Sequence, residues 1–447
     1  MIEEKNLGEN QTELECEPQN QPNTKSKKFN TALAVLLGVL FFLISFASGF
    51  FANYLLRGKE ANVAYDLVAI MKNVGYIYDP TTNERREITE KDVADALVNA
   101  LLDRYARYYT KEEYAEVTEK AKGNYKGVGV MFSDNSTTIR QVVGNSPAYH
   151  SGIKGGDVLL KGQVQEDVKV FENNQQISDF INKYPIGTEF VFDIDRGGNI
   201  LQIKAVKKSY VASYVVYYDN QYKCEFVSDS GAPKKSYSQN QEMSYLDDDV
   251  AYVKLLSFEG GATWQMGQVL EFMNTRGKTK LILDLRDNGG GYMSVLTHIA
   301  SYFISNGNSS KSAVAIAEGK TGKEVYYTDI NRYQSFVSSI AVLGNEDTAS
   351  ASECLIGAIK TYNKNAIVIV EKNDKGVAKT YGKGIMQTTY QLISGGAFKL
   401  TTARITWPDS NRTCINGVGV TTQTVQGVKE AEKGNAINVA LAELSKA

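Results

Sequence analysis

Histidine is nearly missing from this chain, with two residues in 447, and the four cysteines lie far apart. No Cys-x-x-Cys and no His-Glu-x-x-His occurs, so the spacings of zinc sites and thiol redox centres are absent. Positive charge is not in surplus either. Lys and Arg number 49 against 51 Asp and Glu, a formal net charge of -2, which leaves nothing over to neutralise phosphates and argues against a nucleic-acid partner. A third absence is local: from Phe29 to Leu56 there is no charged residue. Its core, 32–51, is long enough for a hydrocarbon layer that needs ~20 residues for ~30 Å, and predicts a transmembrane helix over 29–56. Residues 1–28 are polar and acidic and end in Lys25-Ser-Lys27-Lys28, which reads as a disordered tail held on the cytoplasmic side, so that everything after Arg57 faces outward. Ala47-Ser-Gly49 offers a rival reading as a cleavage site, but the leading tail is long and the apolar run exceeds a usual signal-peptide core, which favours an uncleaved anchor.

With 43% hydrophobic and 22% charged residues, the remainder has the balance of a folding chain long enough for two or three domains. The most informative stretch is Thr348 to Gln387. Ser350-Ala-Ser-Glu353 opens a segment whose apolar residues Ala351, Cys354, Leu355, Ala358, Ile359 and Tyr362 recur at helical spacing. A serine at a helix N-terminus sits where unpaired amides and the helix dipole favour negative charge. Ser350 there has the setting of a nucleophile, with the Ala351 N–H helping to hold an oxyanion. The same four residues also form a capping box, in which Glu353 reaches back to the first turn. After the apolar run Ala366 to Val370, a predicted buried strand, comes Gly382-Lys383-Gly384-Ile385-Met386-Gln387. Flanking glycines let other chain approach, and a lysine in a crowded, dry place loses solvation of its charged form, so that its neutral amine can take a serine proton.

Together with Asp284-Leu285-Arg286-Asp287-Asn288-Gly289-Gly290-Gly291, these motifs resemble the C-terminal processing peptidases, also called tail-specific proteases, Ser-Lys enzymes that carry a PDZ domain. The similarity runs from about Val63 nearly to the C-terminus. It implies Ser350 as nucleophile, Lys383 as general base, Gln387 as the residue orienting the lysine, and the Gly290 and Ala351 N–H groups as the oxyanion hole, with Ser352 a capping or packing serine. Two departures stand out. About seven residues, Asn373 to Lys379, are inserted before the lysine motif and predict a surface hairpin, with Lys375 the alternative base. Gly289 replaces the family's proline. His298, one helical turn from Ser294, is the competitor that a Ser-His triad would need.

Upstream, 57–121 shows helical patterns, among them one capped by Thr89 with Val93, Ala96, Leu97, Ala100 and Leu101 on one face. Residues 122–207 form a unit of short alternating runs, in which Ser146-Pro-Ala148 and Gly155-Gly-Asp157 resemble a PDZ domain. Gly127, Val128, Gly129 and Val130 would be the loop that captures a peptide's terminal carboxylate while the peptide adds as an edge strand. Residues 208–447 alternate β and α. The expected fold is therefore α/β multidomain: a tail (1–28), one transmembrane helix (29–56), an N-terminal helical region (57–121), a mainly β PDZ domain (122–207) and an α/β Ser-Lys peptidase core (208–447). The resemblance implies a membrane-anchored serine endopeptidase that cleaves proteins near their C-termini, with no metal or other cofactor. Its expected partners are protein or peptide substrates with free C-termini, the membrane, and a second copy as a homo-oligomer. The expected location is the bacterial cell membrane, single-pass, with the catalytic domain outside. The alternative is a catalytically silent PDZ scaffold that binds protein C-termini, against which intact Ser350, Lys383 and Gln387 argue.

Overall fold

The computed structural model describes residues 39–45, 67–71, 77–78, 85–133, 135–227, 234–307, 311–329, 332–393 and 395–446. The chain divides into two units, Met1–Thr89 and Glu90–Ala447. The described residues of the first include helical stretches at 39–45 and 67–71 and an antiparallel pairing of Ile77–Tyr78 with Arg85–Arg86.

The membrane expectation is corrected here. Among the described residues no helix is long and apolar enough to cross a membrane. Within 29–56 the described helix is 39–45, roughly 10 Å long at ~1.5 Å per residue, a third of a hydrocarbon layer. The rest of that stretch, and the expected tail 1–28, lie outside the described residues. Lack of charge is a weaker condition than the continuous apolar helix of ~20 residues that a span requires. The transmembrane helix, the membrane partner and the single-pass bacterial-membrane location are withdrawn together.

In the second unit, α1 (Glu90–Ala100) leads to β1 (Arg107–Tyr109) and α2 (Lys111–Ala121). Thr110 caps α2, its hydroxyl accepting the Glu113 N–H at 3.2 Å while the Glu113 carboxylate accepts the Thr110 N–H at 3.0 Å. The apolar stripe predicted on α1 is not buried.

A β-rich region follows: β2 (Asn124–Gly127), β3 (Val130–Phe132), β4 (Ile139–Val142), α3 (Pro147–His150), β5 (Val158–Val164), β6 (Asp167–Val170), α4 (Asn174–Asn182), β7 (Glu189–Arg196), β8 (Asn199–Val206) and β9 (Lys208–Val211). Strands pair in the order β8-β7-β5-β6, with β3 on β4 and β2 on β9 as separate ribbons. Alternation along β7 sends Phe190, Phe192 and Ile194 inward to meet Leu159 and the α4 face Ile177, Phe180 and Ile181, a hydrophobic core of its own.

The remainder is a sheet of eight strands in the order β12-β11-β10-β13-β14-β17-β18-β21, where β10 is Val215–Tyr218, β11 Tyr222–Val227, β12 Lys234–Gln239, β13 Val250–Leu255, β14 Lys280–Asp284, β17 Ser339–Gly344, β18 Ile367–Glu371 and β21 Val428–Ala431. From β13 to β21 it is parallel. Ala251, Val253, Leu281 and Leu283 face the helices α5 (Ala262–Thr275), α6 (Met293–Phe303) and α7 (Ala351–Tyr362). The intervening Val250, Tyr252 and Ile282 face α8 (Ala436–Leu444). A second sheet, β16-β15-β20-β19, combines β15 (Ala313–Gly319), β16 (Gly322–Tyr327), β19 (Ile385–Gln391) and β20 (Ala397–Thr406), and β1 pairs with β20. Gly417 and Val418 lie in a turn.

Candidate active site

Strands β14 and β17 are parallel neighbours, so the loops leaving their carboxyl ends lie side by side, the usual place for a site in an α/β sheet. The loop after β14 carries Asn288 to Gly291 and the loop after β17 carries Ser350. Asn288 joins them. Its carbonyl accepts the Ala349 N–H at 3.0 Å and the Ser352 hydroxyl at 2.9 Å, and its side-chain amide donates to the Leu255 carbonyl at 2.8 Å. Ser352 is fully buried in this contact, which gives it the packing role expected of it.

Ser350 is the residue before α7 and has φ 57 and ψ -115. An L-residue at positive φ is strained, and such strain persists only where the surroundings hold it. They do: nine residues of α7 are buried, and a side chain at Gly290 would come within 2.9 Å of Ala349 O, Ala351 N and Ser350 Cβ. The glycine, at φ 100, lets one backbone lie against the other.

Glu353 fastens the second half of the site. Its buried carboxylate accepts the Ser350 N–H at 2.9 Å, the Thr380 hydroxyl at 2.5 Å, the Gly382 N–H at 2.8 Å and the Lys383 N–H at 2.9 Å. Burial raises its pKa and these four donors oppose the rise. The capping reading of Glu353 is thus half the account, because the same carboxylate ties the serine turn to the lysine turn. The Gly-Lys-Gly turn is crowded as expected: a side chain at Gly382 would meet Gly419 N at 2.8 Å and one at Gly384 would meet Asn416 N at 2.8 Å.

Lys383 is half-buried, and its pKa is lowered by desolvation first and then by the charges of Lys399 and Arg104. Its ammonium lies 4.8 Å from the centre of the Tyr105 ring. Arg104 stacks on the same ring and donates to the hydroxyls of Tyr105 at 2.6 Å and Tyr381 at 2.7 Å. A contact spanning some 280 residues leaves no local pattern from which a role for Tyr105 could be read. Lys375 sits on the exposed turn formed by the Lys372 and Ala378 bridge, away from the site, as a surface hairpin requires. His298 is 3.5 Å from Asp329 on the outer side of α6 and offers no triad.

Ser350, Lys383, Gln387 and Gly290 line one cavity of about 850 Å³. No hydrogen bond joins Ser350 to Lys383 among the described residues. The Gln387 amide donates to the Thr401 hydroxyl at 3.1 Å, not to Lys383. The Gly290 N–H donates to the Asn288 side chain at 2.9 Å, so one of the two expected oxyanion donors is occupied. Gly127 to Val130 lie elsewhere, from the last residue of β2 to the first of β3, with the Val128 carbonyl accepting the Ala148 N–H at 2.8 Å and the Gly129 carbonyl accepting the Val143 N–H at 3.0 Å. Strand β3 pairs on one side with β4 and with no other strand among the described residues.

Residues 249–426 match Peptidase family S41. The chain is 24% identical over 435 residues to a probable CtpA-like serine protease of Staphylococcus saprophyticus, covering 94% of this chain and 78% of that one. It is 24% identical over 408 residues to a protein of the same description from Staphylococcus epidermidis, covering 90% and 74%. Among solved structures, a photosystem II D1 C-terminal processing protease superposes with a TM-score of 0.50 at 20% identity, covering 82% of this chain and 92% of the other, and shares its fold.

Proposed function

We propose, from the premise that this chain belongs to peptidase family S41 and is a serine-type C-terminal processing peptidase with a PDZ domain, that Ser350 and Lys383 hydrolyse protein substrates near their C-termini. The observation that carries the reading is one cavity lined by a strained serine at a helix N-terminus and by a lysine whose pKa is lowered by desolvation. Neutral Lys383 takes the Ser350 proton as Oγ attacks the peptide carbonyl carbon. The carbonyl oxygen becomes an oxyanion, stabilised by the Ala351 N–H and, once it leaves Asn288, the Gly290 N–H. Lys383 then gives its proton to the departing amine. Water, deprotonated by the same lysine, releases the acyl group from Ser350. Gln387 turns from Thr401 to hold the lysine amine toward the serine.

In this reading 208–447 is the hydrolytic unit, 122–207 the tail-binding unit, with Gly127, Val128, Gly129 and Val130 holding the terminal carboxylate, and 57–121 contributes the tyrosine clasp over the lysine. An acylating inhibitor of serine hydrolases should modify the protein once, and peptide mapping should find the adduct on Ser350. Labelling on Ser352, or none with any acyl donor, would favour the silent scaffold. Amidating a substrate's C-terminus should weaken binding about tenfold to a hundredfold, the worth of hydrogen bonds to a charged group. Equal binding of acid and amide by calorimetry would remove the carboxylate role of the glycine loop.

A further inference from the structure

We propose that Arg140 is a specificity-determining residue that takes a carboxylate of the substrate peptide lying in the Ser350 cavity. It belongs to the β-rich region and not to the peptidase core. Strand β4 pairs with β3 through Met131↔Gln141 and Phe132↔Ile139, so Arg140 is the extra residue of a bulge. A bulge re-aims a side chain, and this one points at the glycine turn after β14. A side chain at Gly289 would lie 3.8 and 3.9 Å from the two guanidinium Nη atoms. The guanidinium thus lies within van der Waals range of the turn at Gly289. The neighbouring Gln141 fixes the strand there, its amide donating to the Leu256 carbonyl at 2.9 Å.

Five charged side chains line the cavity: Arg140, Glu259, Glu324, Lys383 and Lys399. Four are engaged. Glu259 accepts the Tyr125 hydroxyl at 2.9 Å and Glu324 the Tyr326 hydroxyl at 2.8 Å, while Lys383 and Lys399 lie over the rings of Tyr105 and Tyr109. Arg140 has no hydrogen-bond or ion-pair partner among the described residues, and its Nε is buried and unsatisfied. A guanidinium presents a planar fork of donors that matches a carboxylate, and a buried unpaired donor is costly until one arrives. The cavity holds peptide by the reading above, on which this proposal rests, so the carboxylate is an acidic side chain near the scissile bond or the peptide's free C-terminus.

The test uses the full chain and two peptide sets: amidated peptides with Glu or Gln walked through the positions flanking the cleaved bond, and the same peptides with free C-termini. In one set kcat/KM should favour the carboxylate about tenfold to a hundredfold, mostly through KM, and Arg140→Gln should erase that preference. Arg140→Glu should reverse it toward peptides with Lys at the same position, which a merely structural role would not do. Binding to Ser350→Ala protein, read by fluorescence anisotropy, separates this proposal from the hydrolytic one: a preference there that Arg140 controls, without turnover in the wild type, sinks hydrolysis alone. Preferences unchanged by both Arg140 variants overturn the proposal. So does a preference confined to the free C-terminus that survives Arg140→Gln, since it belongs to Gly127 to Val130.

Discussion

Lys383→Ala should lower kcat about a hundredfold to ten-thousandfold, the span attributed to a positioned general base, while Ser350→Ala falls to background. Circular dichroism should show both variants folded. The pH profile carries the sharper test. Lys383 acts only as the neutral amine, so activity should rise with pH and level off below the ordinary lysine value of 10.5, because burial and the charges of Lys399 and Arg104 hold its pKa down. Lys399→Ala removes one of those charges. The ammonium form then costs less, the pKa climbs back, and the rising limb should move to higher pH. Tyr105→Leu acts in the opposite direction: it keeps an apolar neighbour but removes a ring face that favours the cation 4.8 Å away, so the limb should move to lower pH. Full activity in Lys383→Ala, or a pH profile indifferent to Lys399, would remove the lysine from the chemistry and return attention to other groups in the cavity.

The parts of this site legible in the sequence are those written locally. Helical spacing after Ser350 gives α7, the Gly-Lys-Gly turn gives a close chain approach, and the run before Asn288 gives a buried strand entering a glycine turn. Each depends on a few adjacent residues. What the sequence hides is pairing across distance. Glu353 looks like a capping residue because three of its four donors lie outside its own turn, about 30 positions ahead. Tyr105 over Lys383 and Arg140 beside Gly289 are similar cases, set by the folding of separate elements onto one cavity. The predicted membrane helix fails for a different reason. Absence of charge is read easily from a sequence, but it does not by itself supply the continuous apolar helix of ~20 residues that a span requires.

Arg286→Ala should destabilise the peptidase core by about 3 to 5 kcal/mol, the usual result of removing one partner from a buried ion pair. Asp284 is fully buried at the end of β14. Its carboxylate is met by the Arg286 guanidinium at 2.7 Å and by the Tyr252 hydroxyl at 2.5 Å, and the other arm of Arg286 reaches Glu371 on β18 at 2.7 Å. Burial alone would raise the Asp284 pKa. Arg286 and Lys254 reverse that and bring it to about 2, below the ordinary 3.8. A depressed carboxylate stabilises the fold above its unfolded value and loses that contribution as pH falls through its folded one, so the wild-type share should vanish between about pH 4 and about pH 2. In Arg286→Ala the same carboxylate loses its guanidinium, its folded pKa rises, and acid unfolding should begin at higher pH than in the wild type. Denaturant titrations across this range would measure both effects. The loss should also reach the chemistry, because Arg286 directly precedes the turn that holds Gly290 against Ser350. A variant as stable as the wild type at pH 7, with an unchanged acid transition, would mean that the pair is replaceable and that the turn is held by Asn288 alone.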